Sequence, residues 1–138
     1  MRYSGYTDLL LGYNSNGFAH HRLSDCVSIL RELGYQSIAL TLCHHQLDPP
    51  DRRGVSGAIH RIEREVSAAG LDVTIETGAR FILDPRRKHH PALVSRSAAG
   101  RAKRIGFLKA GVDVAAAVGA DSVAIWSGAA DDNARATA

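Results

Sequence analysis

The sequence predicts an α/β fold of the (β/α)8 barrel type, of which the 138 residues cover about the first four strands and three helices. Three times a helical stretch ends in a glycine that leads directly into a short apolar strand, at Gly34, Gly70 and Gly119. An earlier apolar run, Leu9–Tyr13, supplies a strand before the first helix. The resulting order β-α-β-α-β-α-β is half of the eight units of such a barrel, and an open doubly wound sheet is the alternative closure.

The first strand is predicted over residues 8–14 and the first helix from Ser24, because a serine side chain at the N-cap can accept a hydrogen bond from a first-turn amide. The apolar residues that follow at helical spacing are Cys26, Val27, Leu30 and Leu33. Gly34 ends this helix, since glycine tolerates the left-handed conformation of a helix C-terminus.

The second strand is predicted over residues 37–42, and a loop with two prolines separates it from the second helix. That helix is predicted over residues 55–69. Its apolar stripe consists of Ile59, Ile62, Val66 and Ala69.

The third strand is predicted over residues 72–77, and a long segment, Gly78–Gly100, follows it. Connections longer than about 12–15 residues without regular structure are uncommon and often functional. A third helix over residues 101–118 and a fourth strand over residues 122–126 complete the pattern. The buried side of the third helix is expected to carry Ile105, Leu108, Val112, Ala115 and Ala116.

The composition is that of a globular protein, with 45% hydrophobic and 22% charged residues. We expect no membrane partner, because no apolar run approaches the roughly 20 residues that a membrane span needs. The start of the chain does not resemble a secretory signal. The two cysteines lie outside metal-binding motifs and are typical of a reducing compartment, which predicts a cytoplasmic location.

The net charge of +3 is modest and aromatic residues make up only 6% of the chain, which argues against a nucleic-acid partner. The turn after the first strand does not fit the dinucleotide-binding pattern GxGxxG, and no phosphate-binding GxxxxGK[ST] loop occurs. The chain also lacks the HExxH and GxSxG motifs, so the sequence gives no support to a zincin protease or an α/β-hydrolase.

In either closure, functional groups are expected at the carboxyl ends of the strands. Six of the seven histidines lie in loops beyond predicted strands, as three adjacent pairs: His20 and His21, His44 and His45, His89 and His90. Histidines and carboxylates at one rim suit acid–base chemistry or a divalent metal. Because neighbouring side chains of an extended backbone point in opposite directions, we expect at most one of each pair to face a site.

Three other kinds of residue mark the same rim. Glu76 ends the third strand, and a carboxylate there is more often functional than structural, because burying it unpaired is costly. Trp126 either packs under a loop or stacks on a sugar face, and the rim asparagines Asn14 and Asn16 suit hydroxyl recognition. The basic run of the third loop is expected to be exposed or to anchor the loop: Arg86, Arg87 and Lys88.

Three segments, Gly12–His21, Ile38–His45 and Glu76–Pro91, together resemble the xylose isomerase-like TIM barrel superfamily. This group contains sugar isomerases, sugar-phosphate isomerases and epimerases, and endonuclease-IV-like proteins. Ile125–Gly128 also resembles the end of the family's fourth strand. The resemblance covers nearly the whole chain but only the N-terminal half of a barrel, so it implies a partial domain over residues 1–138.

The resemblance implies a sugar or sugar-phosphate isomerase or epimerase, in which a divalent metal (Mn, Mg, Co or Zn) polarises a carbonyl and a carboxylate moves the adjacent proton. The family's metal ligands lie on later strands and match no position here. A metal is therefore expected only for the complete barrel, and we expect this chain alone to be inactive. The first half of the pocket carries over as Glu76 for catalysis and, for substrate binding, Asn16, His20, His44, His45, Arg80 and Trp126.

Two alternatives stay open: a non-catalytic sugar-binding module of the same fold, and an endonuclease-IV-like nuclease with His44 or His45 as a zinc ligand. A half barrel is also expected to expose two sheet edges and an apolar face. We therefore expect self-association or pairing with a missing C-terminal half.

Overall fold

A four-stranded parallel sheet forms the centre of the computed structural model, which describes residues 9–47 and 55–130. Its strands are β1 (Gly12–Asn14), β2 (Ser37–Thr41), β3 (Asp72–Glu76) and β4 (Ser122–Ala124). A 3-10 helix (Ser15–Phe18) follows β1, and the three helices are α1 (Leu23–Glu32), α2 (Val55–Ala69) and α3 (Ala98–Val118). The spatial order β1-β2-β3-β4 equals the chain order. A doubly wound sheet would reverse its strand order at one point, so the half-barrel prediction is confirmed.

Left-handed glycines end all three helices at the predicted positions. The φ angle is +81° at Gly34, +64° at Gly70 and +69° at Gly119. A residue with a Cβ would be strained there, which explains why glycine marks each passage from helix to strand. Leu33, which we expected on the buried side of α1, is the C-cap of that helix instead and is 67% exposed.

Two helices begin earlier than predicted. Arg22 occupies the N-cap of α1 without a side-chain cap, so the assignment of Ser24 as N-cap was wrong. Helix α3 starts at Ala98, where Ser97 is the N-cap and its Oγ accepts a hydrogen bond from the Gly100 amide. The predicted start at residue 101 treated Gly100 as a break, whereas the serine cap outweighs the weak helix preference of one glycine.

Alternate residues of each strand divide the sheet into two faces. The face toward the helices is apolar and buried, with Ile38 and Ile75 fully inaccessible to solvent. The opposite face, which would line the interior of a closed barrel, carries small and polar side chains: Asn14, Ser37, Ala39, Thr41, Thr74, Glu76 and Ser122. The open face of the sheet is therefore polar, and exposed apolar residues lie on α3 and beside the outer strands instead.

The buried side of α3 differs from the predicted stripe. It consists of Arg104, Phe107, Gly111, Val114, Ala115 and Val118. Ile105 and Val112 are 44% and 52% exposed, and Ala116 is exposed as well. Apolar residues lie on more than one side of α3, and the buried side is the one that packs against α2, β3 and β4.

Both outer strands are open at one edge within the described residues. β1 and β4 have three residues each, whereas the central strands have five, so both are shorter than the predicted 8–14 and 122–126. A strand with one partner makes only half of its possible ladder hydrogen bonds, which explains the shortening. Exposed apolar residues flank both edges: Leu9, Leu10, Leu11, Ile125 and Trp126. The expected open edges are therefore present.

None of the helices within residues 9–47 and 55–130 combines the length and the apolarity needed to cross a lipid bilayer.

Candidate functional site

A cluster of polar side chains lies where β1, β2 and β3 end. The Thr41 hydroxyl lies 2.8 Å from Asn14 Oδ1 and 3.0 Å from Glu76 Oε2. The Asn16 amide donates to Asn14 Oδ1 over 2.9 Å, which fixes the orientation of the Asn14 side chain. One hydroxyl proton thus faces two acceptors. The cluster has more acceptors than donors and can accept hydrogen bonds from a ligand that carries hydroxyl groups.

Two further polar residues hold the first two rim loops together. Ser15 is fully buried; its Oγ donates to Gln46 Oε1 over 2.6 Å and accepts from the Thr41 amide over 2.9 Å. Gln46 in turn donates to the Ser15 carbonyl over 3.2 Å. Sequence reasoning missed Ser15, Thr41 and Gln46, because uncharged polar residues at strand ends are common and only their convergence marks a site. It placed Asn14 at the rim but did not include it among the substrate-binding residues.

Glu76 lies half-buried at the end of β3, directly beside Gly78. A Cβ added to Gly78 would lie 2.9 Å from Glu76 Oε1 and 3.1 Å from Oε2. The Glu76 carboxylate therefore occupies the space that a side chain at residue 78 would need, and glycine leaves this space free. Glu76 and Thr41 are joined by the hydrogen bond described above, so the predicted catalytic residue is part of the polar cluster.

Four of the predicted substrate-binding residues line one cleft of about 270 Å³ beside this cluster: Asn16, His44, His45 and Arg80. The Arg80 guanidinium donates to Asn16 Oδ1 over 2.8 Å, and Thr41 lines the same cleft. His20 lies exposed in the turn before α1 and is not part of the cleft wall. Whether any of these residues binds a substrate remains a prediction.

Trp126 lies just beyond β4 and is 48% exposed. Its amide donates to Thr77 Oγ1 over 3.0 Å, and that hydroxyl donates to the Ala124 carbonyl over 2.8 Å. The indole stacks on the imidazole of His89, with ring centroids 4.9 Å apart and an interplanar angle of 11°. Trp126 is therefore a half-exposed ring at the rim rather than a core residue.

The fully buried guanidinium of Arg104 contacts the backbone of His89, one member of this stacked pair. Arg104 Nη2 donates to the His89 carbonyl over 3.1 Å. Burial lowers the pKa of Arg104, because the charged form loses its hydration. Its Nε and Nη1 atoms have no hydrogen-bond partner within the described residues. Gly128 packs against the same guanidinium, with a φ angle of +95°.

The basic residues of the third loop and the start of α3 largely hold the loop in place. Arg87 pairs with Asp84 at 2.9 Å. Lys103 Nζ donates to the Leu83 carbonyl, and Arg101 donates to the Ser95 carbonyl over 2.8 Å. Within the basic run, the contact of Arg87 supports the loop-anchoring interpretation, while Arg86 and Lys88 are exposed. The loop borders a second cleft of about 770 Å³.

Asp84 supplies a prediction on pH dependence. Hydrogen bonds from the Arg86 amide and the Arg87 side chain lower the pKa of Asp84 below its ordinary value of 3.8. A carboxyl whose pKa is lower in the folded state stabilises the fold above its unfolded pKa, and this contribution disappears as the pH falls through the folded pKa. We expect Asp84→Asn to lower the Tm at pH 7, and the gap from the wild type to close below pH 3.8. Thermal unfolding of both proteins across this pH range measures the gap, and a gap of constant size would contradict the charge-based explanation.

The described residues do not form a metal centre. No three His, Cys, Asp or Glu side chains come together in residues 9–47 and 55–130 in a way that could hold a metal ion. His44 and His45 therefore find no third ligand in this part of the chain. We assign no metal ligand and derive no reaction step through a metal, and a metal in the complete barrel stays a prediction.

No protein-family model matches the chain, and no curated protein matches it at a significant level. Among solved structures, a significant match is the crystal structure of D-psicose 3-epimerase in the presence of D-fructose, with a TM-score of 0.62 and 15% sequence identity. The match covers 83% of this chain but 36% of the epimerase chain, so the chain spans about a third of that protein's length. A likeness at this identity establishes the fold. The chain therefore has the fold of part of a (β/α)8 barrel, as the sequence predicted.

Proposed function

We propose that this chain is the sugar-binding first half of a sugar or sugar-phosphate isomerase or epimerase. The observation that carries the proposal is the Thr41 hydroxyl between Asn14 and Glu76, since an acceptor-rich cluster suits the many hydroxyl groups of a sugar. The similarity of the fold to D-psicose 3-epimerase supports a ketose or its phosphate as the ligand.

Each rim residue has a distinct role in this proposal. Asn14 and Glu76 accept hydrogen bonds from sugar hydroxyl groups, while Arg80, held by Asn16, donates to a sugar oxygen. The half-exposed indole of Trp126 packs against the apolar C–H face of the ring. A wall that offers donors, acceptors and one aromatic surface is the usual composition of a small-molecule site.

Catalysis in this proposal belongs to the complete barrel. Glu76 takes a proton from the carbon next to the carbonyl, the electron pair moves onto the carbonyl oxygen, and the same carboxyl can return the proton to the former carbonyl carbon. Residues of later strands would hold a divalent metal, which would supply stabilisation of the charge on that oxygen. This chain alone is expected to bind without turnover.

The open edges of β1 and β4 belong to the same proposal. Unpaired strand edges flanked by apolar side chains pair readily with another chain. We propose that four further strands cover these edges, supplied by a C-terminal half or, in the isolated chain, by a second copy. We also propose that residues 1–138 form one partial-barrel domain and that the protein is cytoplasmic.

A fluorescence titration tests the sugar site, because Trp126 is the only tryptophan in the chain. We expect D-psicose to change its emission in a saturable way. Glu76→Gln keeps the size of the side chain but removes its charge, and a hydrogen bond to a charged group contributes about 1.5–3 kcal/mol. Binding should therefore weaken by about tenfold or more. Glu63→Gln, an exposed carboxylate on α2, is the matched control and should bind as the wild type does.

The alternatives give different results in the same experiment. No saturable response to D-psicose or its phosphate ester would remove the proposed function. Binding of an oligonucleotide that weakens steeply with salt would instead favour the nuclease-like alternative. Sugar binding without isomerisation by a chain that contains all eight strands would favour the non-catalytic module.

A further inference from the structure

We propose that His89 contributes a hydrogen-bond acceptor, its Nε2 atom, to the sugar site. This inference rests on the proposed function and adds a ligand-contacting residue to it. Sequence reasoning placed His89 in a long loop after β3, but gave it no role that distinguished it from the other rim histidines. The contacts of its imidazole and backbone now set it apart.

The imidazole has a defined tautomer. His89 Nδ1 lies 2.6 Å from the Gly78 carbonyl, and a carbonyl oxygen can only accept a hydrogen bond. Nδ1 must therefore carry the proton, which leaves a lone pair on Nε2 when the ring is neutral. No hydrogen bond of Nε2 is found among the described residues. The ring thus offers an acceptor in a fixed orientation.

The backbone and the ring plane of His89 are also fixed by contacts. Its φ angle is +65°, a conformation that is uncommon for a residue other than glycine and that is often retained at functional sites. Arg104 and the Ala129 amide both donate to its carbonyl over 3.1 Å. The stacked indole of Trp126 fixes the plane of the ring. Such support on several sides is what a binding group needs in order to be preorganised.

The position of His89 joins it to the polar cluster. Gly78 accepts the hydrogen bond from His89 through its carbonyl, and the Cα of the same glycine faces the Glu76 carboxylate. The imidazole and the carboxylate therefore flank a single residue at the rim. The indole of Trp126 covers one face of the imidazole, so a sugar bound beside Glu76 and Trp126 meets His89 Nε2 at the edge of the ring.

A purely structural role for His89, as a pin for its loop, predicts a different response to substitution. The amide of His89→Asn can replace the Nδ1 donor to Gly78, and asparagine tolerates a positive φ, but this side chain has nothing at the position of Nε2. The longer His89→Gln can place an amide oxygen near that position. If His89 only holds its loop in place, His89→Asn should bind the sugar as tightly as the wild type. If His89 contacts the sugar, His89→Asn should bind it more weakly.

Calorimetric titration of D-psicose into the 138-residue chain and both variants separates these roles. We expect His89→Asn to bind about tenfold more weakly with a Tm within a few degrees of the wild type, and His89→Gln to recover part of the loss. Equal affinity of His89→Asn and the wild type would overturn the inference and leave the proposed function intact. No binding by the wild type would overturn both.

A measurement on the wild type keeps the inference testable if the variants fail to fold. In protein labelled with ¹⁵N-histidine, addition of D-psicose should shift the Nε2 resonance of His89 and leave the Nδ1 proton in place. An Nε2 resonance that does not move at saturating sugar would overturn the inference.

Discussion

Gly128→Ala is expected to destabilise the protein by about 2–4 kcal/mol, which lowers the Tm by roughly 10 °C. A Cβ at this position would lie 2.6 Å from Arg104 Nη2 and 2.8 Å from both Ala92 Cα and the His89 carbonyl. Two of these atoms belong to the backbone and cannot move independently of their loop. The φ angle of +95° adds strain for any residue with a Cβ. Thermal unfolding followed by circular dichroism measures the loss.

Gly34→Ala is the matched control for this prediction. Gly34 has a similar φ angle of +81°, but nothing lies within 4 Å of its added Cβ. Its substitution should cost only the backbone strain of about 1 kcal/mol. The Gly128 variant should also change the emission spectrum of Trp126, because the displaced loop carries His89. Equal losses for the two variants would contradict the close packing around Arg104.

Leu11→Lys combined with Ile125→Lys is expected to convert a self-associating chain into a monomer of 14.8 kDa. Both leucine and isoleucine are exposed beside the unpaired edges of β1 and β4. Lysine beside an edge strand opposes pairing, because the charge would have to be desolvated between two chains. Light scattering during size-exclusion chromatography measures the mass, and the wild type should elute as a dimer or a larger species.

Leu33→Lys provides the control for the edge variant. Leu33 is as exposed as the edge residues but lies at the C-cap of α1 and not next to an open strand in the chain. This variant should associate as the wild type does. A monomeric wild type would contradict the proposed pairing, and a loss of association in the Leu33 variant would assign it to general surface hydrophobicity instead.

Local signals made most of the fold predictable. Gly34, Gly70 and Gly119 each require a left-handed backbone, so their positions mark where helix passes to strand. The stripe of α2 was also correct, with Ile62 and Val66 buried. The side on which α3 is buried could not be predicted, because Ile105 and Val112 are as apolar as the residues that face the sheet. Which side of a helix becomes buried depends on the elements that pack against it, and the sequence of the helix alone does not determine this.

The site was predictable only where a charged or aromatic residue ended a strand. Glu76 and Trp126 stood out for this reason, and the structure brings Asn16 and Arg80 to a cleft beside Glu76. Thr41 carries no such signal, since its importance comes from a hydrogen bond to the Asn14 side chain on the neighbouring strand. His89 was one of six rim histidines, and only its hydrogen bond and its stacked partner distinguish it.

The central claim is that the ends of β1 to β3 and the turn after β4 form one sugar-binding surface. Amide chemical-shift mapping of the ¹⁵N-labelled chain during a titration with D-psicose tests it most directly. We expect saturable shifts confined to residues 14–16, 41–46, 76–80, 89 and 126–128. Shifts confined to the rest of the loop from Asp84 to Ser97, or no shifts at all, would contradict this claim.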